Sequence, residues 1–257
     1  MSGATVAFAT LGCRLNQADS QELQGALEAR GFSAVAPGAP ADVVIVNTCT
    51  VTARAEVSDR QAIHRAVRGH PGARVVVTGC WAQVAPAAVA GLAGVDLVVG
   101  NADRARLPDL VADLLAQRRA GRPRVEVSPH GPAAGAREPT GLPVGGRSRA
   151  FVKVQDGCQH RCAFCIVPFA RGASRSRAPE AILDQVRALV AAGHPEVVLT
   201  GVDLGHYGAD LVPRTSLAAL LGELVAVSGL RWVRLSSLLP AYVTPPLLEI
   251  LTSSPLV

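Results

Sequence analysis

Asp42-Val43-Val44-Ile45-Val46-Asn47-Thr48-Cys49 runs from an acid through four consecutive β-branched residues to a thiol. A strand open to water on one face alternates apolar with polar residues. A run with no polar interruption fits a strand covered on both faces, as in a parallel sheet held between helices. Val75-Val76-Val77-Thr78-Gly79-Cys80 repeats the pattern and also closes on a cysteine. Strands are thus expected at Asp42–Val46 and Arg74–Thr78, and shorter runs place two more at Thr5–Ala9 and Asp96–Val99. Helical spacing fills the intervals at Gln17–Arg30, Ala55–Arg68 and Pro86–Leu92, and follows at Arg104–Gln117. Strands alternating with helices imply a mainly parallel sheet with right-handed crossovers. Residues 1–118 are expected to form a small doubly wound α/β domain.

Residues 119–149 break that rhythm. They hold five prolines among Gly, Arg and Ser, and read as a linker or extended crossing segment. The segment is basic, with Arg119, Arg122, Arg124, Arg137, Arg147 and Arg149 against Glu126 and Glu138. A solvated connector and an electrostatic role both fit. Alternation resumes with strands at Phe151–Gln155, Glu196–Thr200 and Arg231–Ser236, and helices at Pro179–Ala192, Ser216–Val227 and Pro245–Thr252. Pro179 and Pro245 suit first-turn helix positions, where a missing N–H costs nothing. Residues 150–257 are expected to hold three βα units.

The chain has 257 residues, 49% of them hydrophobic and 18% charged, so it has the material for a packed core and is neither a disordered tail nor a coiled coil. Every apolar run is interrupted before it reaches the roughly 18 residues of a membrane span. The stretch around Val6 to Leu11 lacks the basic start of a signal peptide, and Thr10-Leu11-Gly12-Cys13 only faintly resembles a lipoprotein cleavage site. The expectation is a cytoplasmic protein with no membrane partner. Net charge is +5, which suits a polyanionic partner. Lys153 is the only lysine, however, so the charge reflects an arginine-rich composition and its placement matters more than its sum.

Six cysteines fall into two sets of three. Cys13, Cys49 and Cys80 each follow a strand by a few residues. In a parallel sheet all strand C-terminal ends share one edge, where ligands bind, so three thiols should converge there. The bland alternative is three small buried hydrophobes. Cys158, Cys162 and Cys165 form a tight C-x3-C-x2-C. His160 could complete a Cys3His zinc set. Structural zinc usually takes paired C-x2-C knuckles, however, and three close thiolates on one short loop suit a cubane iron–sulfur cluster instead, each binding one iron and leaving the fourth iron open.

Cys158-Gln159-His160-Arg161-Cys162-Ala163-Phe164-Cys165 resembles the signature of radical S-adenosylmethionine enzymes. Gly12-Cys13-Arg14-Leu15-Asn16-Gln17, Asn47-Thr48-Cys49-Thr50-Val51 and Gly79-Cys80 look like the amino-terminal domain of the methylthiotransferases within that superfamily. Ile166-Val167-Pro168-Phe169-Ala170-Arg171-Gly172, Glu196-Val197-Val198-Leu199-Thr200-Gly201-Val202 and Arg234-Leu235-Ser236-Ser237 continue the match. Arg171-Gly172-Ala173-Ser174-Arg175-Ser176-Arg177 and Thr200-Gly201-Val202-Asp203-Leu204-Gly205-His206-Tyr207-Gly208 are most similar to the branch acting on threonylcarbamoyladenosine.

The resemblance implies an α/β fold: an N-terminal doubly wound parallel-sheet domain, then an incomplete radical SAM (βα) partial barrel. It implies a tRNA methylthiotransferase adding a methylthio group to C2 of N6-threonylcarbamoyladenosine beside the anticodon. Isopentenyladenosine in tRNA and a ribosomal protein are the alternative substrates. Its cofactors are two 4Fe–4S clusters and S-adenosyl-L-methionine, and its partners are tRNA and an electron donor protein. Cys158, Cys162 and Cys165 would bind the radical-generating cluster, and Cys13, Cys49 and Cys80 the auxiliary one that carries sulfur. One S-adenosylmethionine gives its methyl group and a second is cleaved to a 5′-deoxyadenosyl radical. No acid–base side chain activates an aromatic C–H at neutral pH, so none is assigned as a catalyst and the cofactors carry the hard step.

Phe164 is a candidate for packing near the cluster or the nucleoside, with a core position as the alternative. Arg171 and Arg177 are candidates for contact with S-adenosylmethionine or phosphate, and Gly201 for close approach of the ligand. Arg161, Arg171, Arg175 and Arg177 crowd a segment with no acid between Asp156 and Glu180, which supports contact with RNA phosphates. His160 reads as a bystander, and Asn16 and Asn47 as residues that fix turns beside their cysteines.

Two departures limit the match. Three βα units are fewer than the superfamily's barrel, and nothing resembles the family's RNA-gripping C-terminal β-barrel, so the chain is expected to be C-terminally truncated and poorly active alone. Leu239 stands where relatives commonly carry an acid before the proline. The rival from another class is a zinc or redox-sensing module that binds RNA through its basic linker. A third reading is an α/β binding domain without metal.

Overall fold

The computed structural model describes residues 3–119, 121–130 and 149–257. The chain divides into two compact units: Met1–Gly141 with His160–Gly172, and Leu142–Gln159 with Ala173–Val257.

The first unit is built from β1 (Thr5–Thr10), α1 (Arg14–Glu28), β2 (Ser33–Ala34), β3 (Val43–Thr48), α2 (Ala53–Gly69), β4 (Arg74–Gly79), α3 (Cys80–Val84), α4 (Pro86–Ala90), β5 (Leu97–Val99), a 3-10 turn (Asn101–Arg106), α5 (Leu107–Ala116) and β6 (Arg124–Glu126). Its six strands are all parallel, in the order β2-β1-β3-β4-β5-β6. Every residue of β3 is buried, and alternation along it explains why. Val44 and Val46 pack with Ile63 and Ala66 of α2 and Trp81 of α3, while Val43 and Ile45 pack with Leu23 and Leu27 of α1 and Leu107, Leu110 and Val111 of α5. The sheet is covered on both faces, as the unbroken apolar runs require. Strand order reverses between β1 and β3, and such a reversal opens a crevice beyond the strand C-termini. Cys13 and Cys49 follow those two strands.

The stretch expected to be a connector contributes to this unit. Arg124–Glu126 pairs with β5 as the sixth strand, and Arg119 clamps Asp96 with Nε to Oδ1 and Nη2 to Oδ2, both at 2.7 Å. Arg124 pairs with Glu126 at 2.8 Å. A three-residue edge strand has no readable period, and its pairing is carried by backbone. Glu138, Arg137 and Arg147 lie outside the described residues.

The second unit contains β7 (Arg149–Lys153), β8 (Gln155–Asp156), β9 (Arg175–Ser176), α7 (Pro179–Ala191), β10 (Glu196–Thr200), a 3-10 turn (Leu204–His206), α8 (Leu217–Leu224), β11 (Trp232–Leu235), a second turn (Pro240–Tyr242) and α9 (Pro245–Ser253). Between β8 and β9, His160–Gly172 belongs to the first unit and carries the short helix α6 (Val167–Arg171). Strands β11, β10 and β7 form a parallel sheet in that order, and β8 with β9 an antiparallel pair. The three expected βα units are present. Val152, Val197, Leu199 and Val233 pack with Ile182, Val186 and Leu189 of α7 and Leu220, Leu221 and Leu224 of α8. Pro179 and Pro245 open their helices, and Ser216 Oγ accepts the Ala219 N–H at 3.2 Å to cap α8. Among the described residues no helix is long and apolar enough to cross a membrane.

Candidate metal centres

The first triad sits where the sheet delivers it. Cys13 is the N-cap of α1, Cys49 follows β3, and Cys80 is the first residue of α3. Cys49 and Cys80 are buried and Cys13 is exposed. Burial pushes the Cys49 thiol up. A hydrogen bond from the Val51 backbone opposes this, while the neighbouring Cys80, Cys13 and Asp59 add to it. The thiols therefore lie close enough to repel one another as thiolates, and a cation among them would reverse that penalty. Gly12 makes room: its φ is +89°, and a Cβ there would stand 2.6 Å from Cys49 Cβ and 2.8 Å from Cys49 Sγ. Gly79, at φ +98°, likewise lies against Thr48 and Asn47.

Asparagines and acids hold the three loops. Asn16 Nδ2 donates to Leu11 O and Thr48 O, each at 2.8 Å. Asn47 Nδ2 donates to Asn16 O at 2.9 Å and Ser20 Oγ at 3.0 Å. Asn101 Nδ2 approaches Cys80 Sγ at 3.7 Å. Asp59 Oδ2 accepts the Cys49 N–H at 2.9 Å. Burial, with Glu56 adding, pushes the Asp59 carboxyl up to about 7 against that hydrogen bond. Asn16 and Asn47 thus do what their positions beside the cysteines suggest. Asp59 and Asn101 escaped sequence reading, since neither lies next to a cysteine in the chain.

The six cysteines form no disulfide with one another. A convergent, partly buried set of three fits an iron–sulfur cluster at the first site, because thiolates are its ligands and the Gly12 cradle leaves the sulfur uncrowded. In the second set Cys162 is exposed, while Cys158 and Cys165 are half-buried. The Cys165 N–H donates to Cys162 O at 3.0 Å, closing a turn. Phe164 on that turn is 92% exposed, so the core alternative for it is excluded.

The other candidates are each engaged with groups of the protein. Arg171 is buried, and its Nη2 donates to Asp19 Oδ2 at 3.0 Å and to Asn16 Oδ1. It is engaged in the first unit. Arg177 donates through Nη1 to Lys153 O at 2.9 Å and Gln185 Oε1 at 2.7 Å, fastening β7 to α7. A Cβ on Gly201 would stand 3.0 Å from Gln155 Oε1, so the close neighbour there is protein. Fully buried Gln155 organises the loop before Cys158, donating to Gly157 O at 2.7 Å and Ser174 Oγ at 2.9 Å and accepting the Asp203 N–H at 2.8 Å. Leu239 is 57% exposed.

Residues 152–242 match the family model of the Radical SAM superfamily, and residues 5–100 match the model described as Uncharacterized protein family UPF0004. A solved structure of the radical S-adenosylmethionine methyltransferase TsrM from Kitasatospora setae covers 88% of this chain and is itself covered to 52%, with TM-score 0.57 and 20% identity, a likeness of fold. Residues 152–242 thus carry a radical SAM domain. The threonylcarbamoyladenosine tRNA methylthiotransferase MtaB of Bacillus subtilis is 38% identical over 253 residues, 98% of this chain and 55% of the relative. The ribosomal protein uS12 methylthiotransferase RimO of Desulforudis audaxviator is 35% identical, over 97% of this chain and 55% of the relative. The tRNA-2-methylthio-N(6)-dimethylallyladenosine synthase of Frankia casuarinae is 37% identical, over 99% of this chain and 47% of the relative. Over nearly its whole length, this chain is similar to relatives named as methylthiotransferases. It spans about half the length of the curated relatives it matches.

Proposed function

We propose that the complete protein is a tRNA methylthiotransferase, acting at C2 of N6-threonylcarbamoyladenosine beside the anticodon. Cys158, Cys162 and Cys165 hold one 4Fe–4S cluster, and Cys13, Cys49 and Cys80 hold a second. When bound, these clusters and S-adenosylmethionine supply the one-electron chemistry and the sulfur and methyl groups that replace an aromatic C–H by C–S. The chain's own residues do the holding. Gly12 gives the Cys49 sulfur room, Asn16 and Asn47 fix the loops before it, and Gln155 shapes the turn that leads into Cys158. tRNA is the macromolecular substrate, and an electron donor protein is required.

The observation that carries this reading is the approach of Cys13, Cys49 and Cys80 to one another beside the strand-order reversal. The substrate assignment is supported by the threonylcarbamoyladenosine name of the relative described first; the relatives named for uS12 and for dimethylallyladenosine keep those substrates as the alternatives to be tested. Anaerobic reconstitution of the chain should give about eight irons and absorbance near roughly 400 nm. Replacing either triad by Ala should halve the iron. A colourless protein holding zinc would favour the RNA-binding module. Nucleoside analysis of tRNA from cells lacking the gene, with and without the complete protein, tests the substrate. The result that supports it is methylthiolation of threonylcarbamoyladenosine alone.

A further inference from the structure

Asp19 lies on α1, 1% exposed, and its Oδ2 accepts from two buried guanidinium groups: Arg104 Nη1 at 2.9 Å and Arg171 Nη2 at 3.0 Å. Arg171 comes from α6, 152 positions further along the chain. Each arginine also holds the side-chain carbonyl of one asparagine, Arg171 that of Asn16 and Arg104 that of Asn101, the latter at 3.1 Å. A guanidinium only donates hydrogen bonds. Each asparagine must therefore turn Oδ1 toward its arginine, which aims Nδ2 the other way. Those amides point at the cysteine loops. Asn16 Nδ2 reaches Leu11 O, two residues before Cys13, and Thr48 O, next to Cys49. Asn101 Nδ2 reaches Cys80 Sγ and, at 2.8 Å, Ala170 O beside Arg171. One carboxylate thus lies behind a contact to Cys80 and contacts to the loops that carry Cys13 and Cys49.

Burying a carboxylate with two guanidinium groups is costly, and such a cluster contributes little net stability compared with an apolar replacement. It contributes orientation. Partners that orient ligands and hydrogen bonds to ligand sulfurs are the means by which a protein tunes affinity and potential at a metal site.

We infer that Asp19 is the positioning residue of the first triad, acting through Arg171–Asn16 and Arg104–Asn101, and that Arg171 serves this site instead of contacting S-adenosylmethionine or phosphate. The inference rests on the reading of Cys13, Cys49 and Cys80 as ligands of a cluster.

The test uses the 257-residue chain with Cys158, Cys162 and Cys165 replaced by Ala, so that only the first triad can load. Arg171→Met, Arg171→Lys, Asn101→Ala and Asp19→Asn are reconstituted anaerobically, and iron retention against a chelator is followed with circular dichroism as the check on folding. Asp19→Asn strands two buried cations and can fail to fold, so the decision falls on the other three. Arg171→Met and Asn101→Ala should weaken iron retention about 10-fold or more while staying folded, the range seen when a ligand-orienting partner is lost. Arg171→Lys should recover part of it. Asn101→Ala should also move the cluster's reduction potential to more negative values, because a donor to Cys80 sulfur is gone. Such a shift would not follow from a purely structural role. Unchanged iron retention and potential in Arg171→Met and Asn101→Ala overturn this inference alone. A parent that binds no iron overturns the cluster reading as well. In the complementary chain, with Cys13, Cys49 and Cys80 replaced by Ala, Arg171→Met should leave S-adenosylmethionine binding unchanged; a loss there, with first-triad iron intact, also overturns the inference.

Discussion

Asp42 and Thr5 bind each other reciprocally at the start of two neighbouring strands. Asp42 Oδ2 accepts the Thr5 N–H at 2.7 Å and the Thr5 hydroxyl at 2.8 Å, and Thr5 Oγ1 accepts the Asp42 N–H at 3.0 Å. The pair stands beside the first step of the β1–β3 register, Val6 opposite Val43, which ends with Thr10 opposite Asn47. A slip of one residue would turn each strand's buried set to the wrong face. It would also move Cys13 relative to Cys49. The lock therefore acts on the metal site from the opposite end of the sheet.

The hydrogen bonds from Thr5, backbone first and hydroxyl second, hold the Asp42 carboxyl below its ordinary value, with burial only partly opposing them. A carboxyl depressed in the folded state stabilises the fold above its unfolded pKa of about 4, and that contribution disappears as pH falls through the folded value. Asp42→Ala should cost about 1 kcal/mol at neutral pH, the usual size of a net hydrogen-bond contribution at an accessible site. The variant and the parent should converge in stability on acidification below about pH 4. Urea unfolding at pH 7 and pH 3 reads both. A difference that grows on acidification would contradict the sign.

Gly12→Ala should be far worse than its one carbon suggests. The residue needs φ +89°, and the new Cβ would press on Cys49 Cβ and Sγ from 2.6 and 2.8 Å. Backbone strain of this kind costs about 1–3 kcal/mol, before any displacement of the sulfur. Gly31→Ala is the control: its φ is +85° but no atom lies within 4 Å of the added Cβ. Both variants should lose thermal stability, and only Gly12→Ala should also lose iron from the first triad on reconstitution.

Phe164 gives the opposite pattern. At 92% exposure it contributes little to the core, so Phe164→Ala should change unfolding free energy by no more than about 0.5 kcal/mol. Its place between Cys162 and Cys165 supports the proposal that it contacts a bound ligand. S-adenosylmethionine affinity, read by equilibrium dialysis on reconstituted protein, should fall while thermal stability stays level. A large stability loss with unchanged affinity would assign Phe164 to packing.

The elements that sequence reading located best are those whose side chains all obey one period. Val43–Val46 and Val75–Val77 have no polar residue to disturb the pattern, and they became β3 and β4. Arg124–Glu126 is equally a strand, yet two of its three residues are charged and its pairing is made by backbone. Cys80–Val84 is a helix of five residues, too short to show a period. Convergence of Cys13, Cys49 and Cys80 was legible because parallel strands must end on one edge. The fate of Arg171 was not, for a different reason. Arginine is rarely buried unless paired, and its partner Asp19 is 152 residues away. No local pattern carries that information.

That difference reshapes the expectation for RNA. Four arginines between Arg161 and Arg177 were candidates for phosphate contact, but Arg171 is buried on Asp19, and Arg177 is bonded to Lys153 O and Gln185. Arg161 is exposed. Counterion release makes log affinity fall linearly with log salt, by about 0.7 for each phosphate neutralised on a single strand. An anticodon-loop RNA bound through this segment should therefore show a smaller salt slope than four phosphate contacts would give. Arg161→Ala should lower its magnitude by about 0.7 if that side chain meets one phosphate. Arg171→Met, which removes a charge held inside the protein, should leave the slope unchanged. Filter binding across a salt series separates the two. Equal slopes for parent and Arg161→Ala, with a reduced slope for Arg171→Met, would reverse the assignment and place the buried arginine at the nucleic acid.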